Sequence, residues 1–456
     1  MLLLRFRLSN HRSFRDEAEL SFLQSRLKSA RPHDGQWADY TTHVAAIYGA
    51  NASGKSSVLG AMELFRNMIQ NSATAWADRK KLPQTPFKLD DVSSAQPTSF
   101  VLDFAIDDLR HEYGFTFTED AIVSEWLYDY PVSRRRVLFE RNNVTDYKFG
   151  RALRGETAIL EKITGQRELF LSRAASSRHE LLREIMLELT SKMRYAEFTD
   201  ASRQTRIAKI AEGLADGEVA LRDIVTLLKV ADVGIGEVEV KTSELPAEVL
   251  DMIQRMINAA AENPGKGKRK AQATKNEDNS GSARSIEGFR AIDSIQRALE
   301  FSHLGQDGKY YNLPAVVQST GTMSWLSLAL PSVEILRHGG ALLIDELDAS
   351  LHPQLAQVLI QMFKDPLLNQ AGAQLIFTTH DTYFLSPAAE VRLGEEEVWF
   401  AEKDRSGLSE LYALSDFNIR DSENISRRYL HGRYGATPSV APSFLASLFD
   451  QHEIDA

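Results

Sequence analysis

The octapeptide Gly49-Ala50-Asn51-Ala52-Ser53-Gly54-Lys55-Ser56 constrains this chain more than any other stretch. It satisfies the pattern G-x-x-x-x-G-K-[ST] at every fixed position. The run before it, His43-Val44-Ala45-Ala46-Ile47-Tyr48, reads as a strand. After it, Val58, Leu59, Met62, Phe65, Met68 and Ile69 recur at helical spacing. Strand, glycine turn and helix form the context this pattern needs. Glycines let backbone N–H groups crowd around a phosphate, and the helix start adds partial positive charge. Gly49, Asn51, Ser53, Gly54, Lys55, Ser56 and Ser57 are therefore the candidate phosphate contacts. Lys55 can reach β- and γ-phosphates, and the Ser56 hydroxyl suits Mg²⁺. The competing explanation, a glycine-rich turn without a ligand, is disfavoured by the flanking strand and helix.

A second stretch, Ala341-Leu342-Leu343-Ile344-Asp345-Glu346, is an apolar strand ending in two carboxylates. Asp345 follows Lys55 by 290 residues. A compact nucleotide-binding domain needs far less chain between such elements, so a segment is inserted. The reading divides the chain into a first part at 1–106, an insertion at 107–300 and a closing part at 301–456. Within the insertion, Thr98–Ile106, Glu112–Thr118, Ile122–Tyr128 and Arg136–Arg141 read as successive strands of an antiparallel layer beginning at its edge. From about Gln166 the pattern turns helical. Leu181, Leu182, Ile185, Met186, Leu189 and Met193 share one helical stripe, and Val249, Leu250, Ile253, Met256 and Ile257 another. Residues 263–285, with Lys266, Lys268, Arg269 and Lys270, read as a flexible loop; a nucleic-acid contact there is the less favoured alternative. Further on, Leu342–Asp345, Gln374–Thr378 and Glu397–Ala401 read as strands with helices between. The fold class expected is α/β, with a mostly parallel sheet, an antiparallel β layer and a mainly helical insertion.

Composition removes several classes of function. Cysteine is absent from the 456 residues, which excludes disulfides, thiolate zinc sites and cysteine nucleophiles and fits a cytoplasmic protein. No apolar run is long enough for a membrane helix, and Met1–Leu8 lacks the layout of a secretory signal. The net charge of −10 means that any nucleic-acid contact must come from a local basic patch.

The chemistry concentrates at strand ends. Asp345 can hold the Mg²⁺ shell, and Glu346 can orient and polarise a water for in-line attack on a γ-phosphate. Asp348 either joins that site or caps the next helix. Leu375-Ile376-Phe377-Thr378-Thr379-His380-Asp381 is another apolar strand with a polar tip. In a parallel sheet such tips share one carboxyl edge, where open α/β sheets bind ligands. His380 is thereby placed to approach the γ-phosphate.

The ordered set of phosphate loop, Asp345-Glu346, Asp348 and strand-terminal His380 resembles the signature of ABC-type ATPases. The long insertion resembles the SMC, RecF and OLD branch. Phe6-Arg7-Leu8-Ser9-Asn10-His11-Arg12-Ser13-Phe14 is similar to that branch's opening strand and turn, and Pro86-Phe87-Lys88-Leu89-Asp90 also looks familial. Arg427-Arg428-Tyr429-Leu430-His431-Gly432-Arg433-Tyr434-Gly435-Ala436-Thr437-Pro438 is similar to the tail of OLD-like ATP-binding proteins from bacterial phage-defence loci. The resemblance covers residues 1–106 and 301–440. It implies ATP with Mg²⁺, and a homodimer or higher homo-oligomer in which Ser319 and Gly321 of Gln318-Ser319-Thr320-Gly321-Thr322 contact ATP bound to a second subunit. That loop departs from the usual Leu-Ser-Gly-Gly, and an ordinary helix cap is its other explanation. Gln96 for the glutamine loop and Arg12 for a phosphate contact are positions the resemblance leaves open.

With no second catalytic cluster in the closing part, the expectation is an ATPase sensor or scaffold of an anti-phage system. It would control a separate effector such as a nuclease. The alternative is a RecF-like DNA-repair ATPase that binds DNA. No membrane partner is expected.

Overall fold

The computed structural model describes residues 1–27, 32, 36–132, 134–197, 199–231, 235–244, 295–349, 351–420 and 423–437. The helical stripe expected from Val249 to Ile257, the loop at 263–285, Ser350 and Pro438 lie outside the described residues.

In chain order the first elements are β1 (Leu2–Ser9), β2 (Ala18–Ser21), β3 (Val44–Tyr48), α1 (Lys55–Asn71) and a single turn, α2 (Asp91–Ser94). Five strands follow: β4 (Thr98–Ile106), β5 (Leu109–Phe117), β6 (Ile122–Tyr130), β7 (Arg136–Arg141) and β8 (Tyr147–Phe149). Next come α3 (Thr157–Ile163), α4 (Phe170–Ser176), α5 (Glu180–Ser191), β9 (Met193–Ala196), α6 (Asp200–Ala215) and α7 (Leu221–Ala231). The remainder is β10 (Ile235–Glu244), β11 (Ile295–Leu304), β12 (Tyr310–Pro314), α8 (Thr320–His338), β13 (Ala341–Ile344) and α9 (Pro353–Lys364), then β14 (Gln374–Thr378), β15 (Val398–Lys403), β16 (Ser409–Ala413) and α10 (Ile425–Leu430).

The chain divides into two compact units, 1–198 with 331–456, and 199–330. This differs from an insertion at 107–300. The cause is the sheet: β4 to β8 continue the one begun by β1, in the order β2-β1-β4-β5-β6-β7-β8, with every neighbouring pair antiparallel. The antiparallel layer therefore belongs to the first unit. The second sheet of that unit runs β16-β15-β3-β14-β13-β9. Its pairs are parallel except β15 with β16. Every residue of β3, β13 and β14 is buried, as strands covered on both faces must be.

α1 lies in the core shared by the two sheets. Val58, Leu59, Met62, Phe65, Met68 and Ile69 are all 0% exposed, as the spacing predicts. Phe65 stacks on Phe115 of β5 at 5.5 Å and meets Phe6 of β1 edge-on at 5.9 Å. Ala45, Ile47 and Ile376 close the same core from the parallel sheet. Gln374 stitches the sheets together. Its side chain accepts from Leu3 N at 2.6 Å and donates to Leu3 O at 3.0 Å.

The stripe expected to end at Met193 stops earlier. α5 buries Leu182, Ile185 and Leu189, whereas Met193 opens β9, which pairs with β13. The unit at 199–330 contains α6, α7, the start of α8 and a three-stranded antiparallel sheet, β10-β11-β12. Its core includes Leu228, Leu299, Phe301 and Trp325, and Trp325 Nε1 donates to Leu227 O at 2.7 Å.

Candidate active site

β3 delivers the chain into a tight loop. Gly49 has φ 154°, and a β-carbon there would fall 2.3 Å from Ala401 O of β15 and 2.6 Å from Ser53 Oγ. Gly54, at φ 113°, is the residue that turns into α1; a β-carbon on it would meet Ser409 Oγ and the Phe14 ring. Both positions need glycine for space as well as for backbone angle. Ala52 takes the left-handed region without that freedom, at φ 62°. Ser409 of β16 clamps the loop from below by donating to Ser53 O at 2.7 Å.

Lys55 is 5% exposed, and its Nζ donates to Gly49 O at 2.8 Å and Ala50 O at 2.9 Å. Burial pulls its pKa down to about 8, against the pull of Asp345, Glu346 and Asp348. Ser53 Oγ is buried without a hydrogen-bond partner. Such a group costs about 1–3 kcal/mol, and a phosphate oxygen is the kind of acceptor that would satisfy it. The cradle fits the ligand the motif implies.

The carboxylate side comes from the neighbouring strands. β14 lies between β3 and β13 in the sheet, so its carboxyl end can reach both. Asp345 Oδ1 accepts from Ser56 Oγ at 2.9 Å and from Thr378 Oγ1 at 2.6 Å. Thr378 Oγ1 in turn accepts from Glu346 N at 2.7 Å. Glu346 is exposed and left-handed, at φ 54°. A non-glycine residue held there is strained by about 1–3 kcal/mol, and the Thr378 hydroxyl helps to hold it.

Asp348 accepts from His380 N at 3.3 Å through both oxygens. The cap of α9 is His352, not Asp348. His380 is exposed at the tip, and its pKa is lowered first by partial desolvation and then by the Lys55 charge.

Ser56 and Asp345 are the hard oxygen donors of the site. Among the described residues no group of three or more His, Asp or Glu side chains is arranged for a metal. Two protein oxygens, with phosphates and waters completing the shell, is the usual way Mg²⁺ is held. The residues present fit that ion.

The remaining candidates are placed as follows. Asn51 is exposed at the loop tip, and Ser57 N donates to Gly54 O at 2.9 Å. Ser319 Oγ accepts from Thr322 N at 3.0 Å and so caps α8; it and Gly321 lie in the 199–330 unit. Gln96 is exposed, and its carbonyl accepts from Asn10 Nδ2 at 2.8 Å. Arg12 is exposed at φ 53°, with its guanidinium 3.6 Å from where a β-carbon on Gly60 of α1 would be. Sequence spacing assigns Thr378, Ser409 and Phe14 no role at the site. Only Thr378 carries a signal, a hydroxyl closing the apolar run Leu375-Ile376-Phe377.

A protein-family model described as "AAA domain, putative AbiEii toxin, Type IV TA system" matches residues 44–386. No curated protein matches. Among solved structures, an SMC head bound to the C-winged helix domain of ScpA is similar at a TM-score of 0.39 and 12% identity, over 91% of this chain and 97% of that one. The SMC head domain from Thermotoga maritima gives 0.37 and 12%, over 92% and 100%. The Pyrococcus furiosus SMC head with an extended coiled coil, bound to the C-terminal domain of ScpA, gives 0.34 and 13%, over 90% and 96%.

Proposed function

The chain belongs to the AAA-domain family described as putative AbiEii toxin, Type IV toxin–antitoxin system, and from that premise we propose that it binds and hydrolyses ATP. In this reading Gly49, Asn51, Ser53, Gly54, Lys55, Ser56 and Ser57 hold the phosphates. Ser56 and Asp345 would hold Mg²⁺, which would supply positive charge against the developing charge of the phosphates. Glu346 orients the attacking water and accepts its proton. His380 hydrogen-bonds the γ-phosphate, and Asp348 fixes the His380 backbone.

The observation that carries the reading is the unbroken hydrogen-bonded path Ser56–Asp345–Thr378–Glu346. It links the phosphate loop to the candidate base across three parts of the sequence.

The protein works, in this proposal, as a sensor or scaffold. Two copies enclose ATP, with Ser319 and Gly321 of one copy completing the site of the other. The dimer controls a separate effector, such as a nuclease, in anti-phage defence. Support for the defence role is the tail at 427–438 and the toxin–antitoxin wording of the family description.

The test is Glu346→Gln. The variant should bind ATP, lose turnover by about a hundredfold or more, and accumulate as ATP-bound dimers in size-exclusion chromatography. Parental turnover in this variant removes Glu346 as the base; a monomer at saturating ATP removes the dimer.

A further inference from the structure

A second built surface lies outside the phosphate site, at residues 424–435. Asn424 caps α10, its Oδ1 accepting from Arg427 N at 3.0 Å. The helix ends in a Schellman turn: Arg433 N donates to Arg428 O at 3.0 Å and Gly432 N to Tyr429 O at 2.8 Å, with Gly432 at φ 71°. That reversal brings Arg433 back beside Arg428. Tyr429 and Tyr434 turn inward, 5% and 3% exposed, and stack on Phe400 at 5.3 and 5.8 Å. The residues around them face out. Arg427, Arg428, His431, Gly432 and Arg433 line an open concavity of about 550 Å³.

Arg428 is paired with Glu423. Among the described residues no ion pair is formed by Arg427 or Arg433. A helix C-terminus favours a nearby cation, but it does not require three arginines and a histidine within 427–433 of a chain whose net charge is −10. All the basic groups except His431 are arginine, whose planar fork grips phosphate oxygens two at a time. Gly432 leaves backbone open at the centre of the cluster.

We propose that this concavity docks the phosphodiester backbone of a nucleic acid. Its position gives the contact a consequence. Tyr429 meets Tyr48 edge-on at 5.8 Å, and Tyr48 is the residue immediately before Gly49 of the phosphate loop. A strand seated on α10 is linked to the nucleotide cradle through the Tyr429–Tyr48 ring pair.

The experiment uses the full chain and a short fluorescein-labelled oligodeoxynucleotide, single-stranded and duplex, followed by anisotropy across a salt series without ATP. The parent should bind at low salt. Arg427→Ala with Arg433→Ala should weaken binding by about tenfold or more and flatten the log K against log salt slope by about two. Lys at both positions should keep the slope. ATP turnover without nucleic acid, which these two residues do not touch, should equal the parent's and shows that the double variant is folded.

Parental affinity and slope in the double alanine variant overturn the proposal, as does absence of binding by the parent at low salt. Two competitions, run in the Lys55→Ala protein so that the phosphate loop is silent, separate other anions. Displacement by polyglutamate as effective as by unlabelled oligonucleotide assigns the surface to an acidic polypeptide. Displacement by millimolar ATP assigns it to a free nucleotide. Either result also overturns the proposal. Oligonucleotide binding does not depend on hydrolysis, so its failure and a failure of the ATPase reading are separate results.

Discussion

Glu125 of β6 and Arg141 of β7 are buried as completely as Thr378 at the end of β14, yet the two clusters are built on different plans. Around Glu125, each oxygen has a donor. Oε1 accepts from Tyr113 at 2.9 Å and Leu171 N at 3.0 Å, and Oε2 accepts from Phe170 N at 2.6 Å with Arg141 Nη1 at 3.8 Å. Arg141 spends its own donors on Asn143 O, Glu168 O and Gly165 O. This cluster is closed: it fixes the start of α4 to the antiparallel sheet and has nothing left to offer a ligand. At the carboxyl edge of the parallel sheet, Ser53 Oγ and Tyr48 Oη are buried without partners, burial lowers the Lys55 pKa, and Glu346 is held left-handed. Full satisfaction marks the Glu125 cluster as structure, whereas the carboxyl edge brings an unsatisfied hydroxyl, a buried lysine and a strained carboxylate residue together at the candidate phosphate site.

Arg141→Ala leaves the Glu125 charge buried without its counter-ion, and the expected loss is about 3–5 kcal/mol, read as a lowered urea midpoint. Replacing both, Glu125→Leu with Arg141→Met, should recover most of it. Nucleotide affinity of the still-folded fraction should stay parental. If Arg141→Ala weakens nucleotide binding and spares stability, the closed cluster belongs to the site after all.

Lys55→Met makes the opposite cut. Turnover should fall by about 10²–10³-fold, while the thermal midpoint holds or rises, because a partly desolvated charge is removed from the fold. A variant that loses stability together with turnover would place Lys55 in the architecture rather than in the chemistry.

Thr378→Val tests the joint between the two carboxylates. The hydroxyl donates to Asp345 and accepts from Glu346 N, and hydrogen bonds to charged groups contribute about 1.5–3 kcal/mol. Turnover should drop by roughly ten- to a hundredfold, with nucleotide Kd little changed. Thr378→Ser, which keeps the hydroxyl, should restore most of the rate. Equal losses in both variants would mean that the methyl group, not the hydroxyl, is what β14 supplies.

Much of this was legible in the sequence, for a physical reason. The phosphate loop is a local object: its glycines, lysine and serine act within eight residues, so spacing alone specifies it. Strands β13 and β14 are equally plain, because burial on both faces makes β13 and the Leu375–Phe377 centre of β14 apolar without a break. What stayed hidden depends on pairing across distance. Glu125 and Arg141 meet through the register of β6 with β7, which no window of sequence contains. The place of 107–149 is likewise non-local, since the pairings of β1 with β4 and of β4 with β5 are what join the antiparallel layer to the first unit. β10 carried a readable alternation at Val238 and Val240 that the helical texture around it obscured. Thr378 was visible as a residue but not as a joint, because its role follows from β14 lying between β3 and β13.

The titration of Lys55 separates charge from shape at the open end. Burial lowers the Lys55 pKa in the fold from the ordinary 10.5 to about 8. A phosphate bound beside it favours the charged form, so affinity should fall as pH rises through 8, by about fourfold between pH 7 and pH 8.5. Stability of the nucleotide-free protein should move the other way. Between about 8 and 10.5 the unfolded chain binds more protons at this lysine than the folded one, so the free energy of unfolding rises with pH across that window. Lys55→Met should flatten both dependences while leaving the Glu125–Arg141 cluster, and the stability it contributes, as they were. Were the affinity slope to survive in Lys55→Met, the titrating group would have to be sought elsewhere on the sheet edge, and the lysine would hold phosphate by position alone.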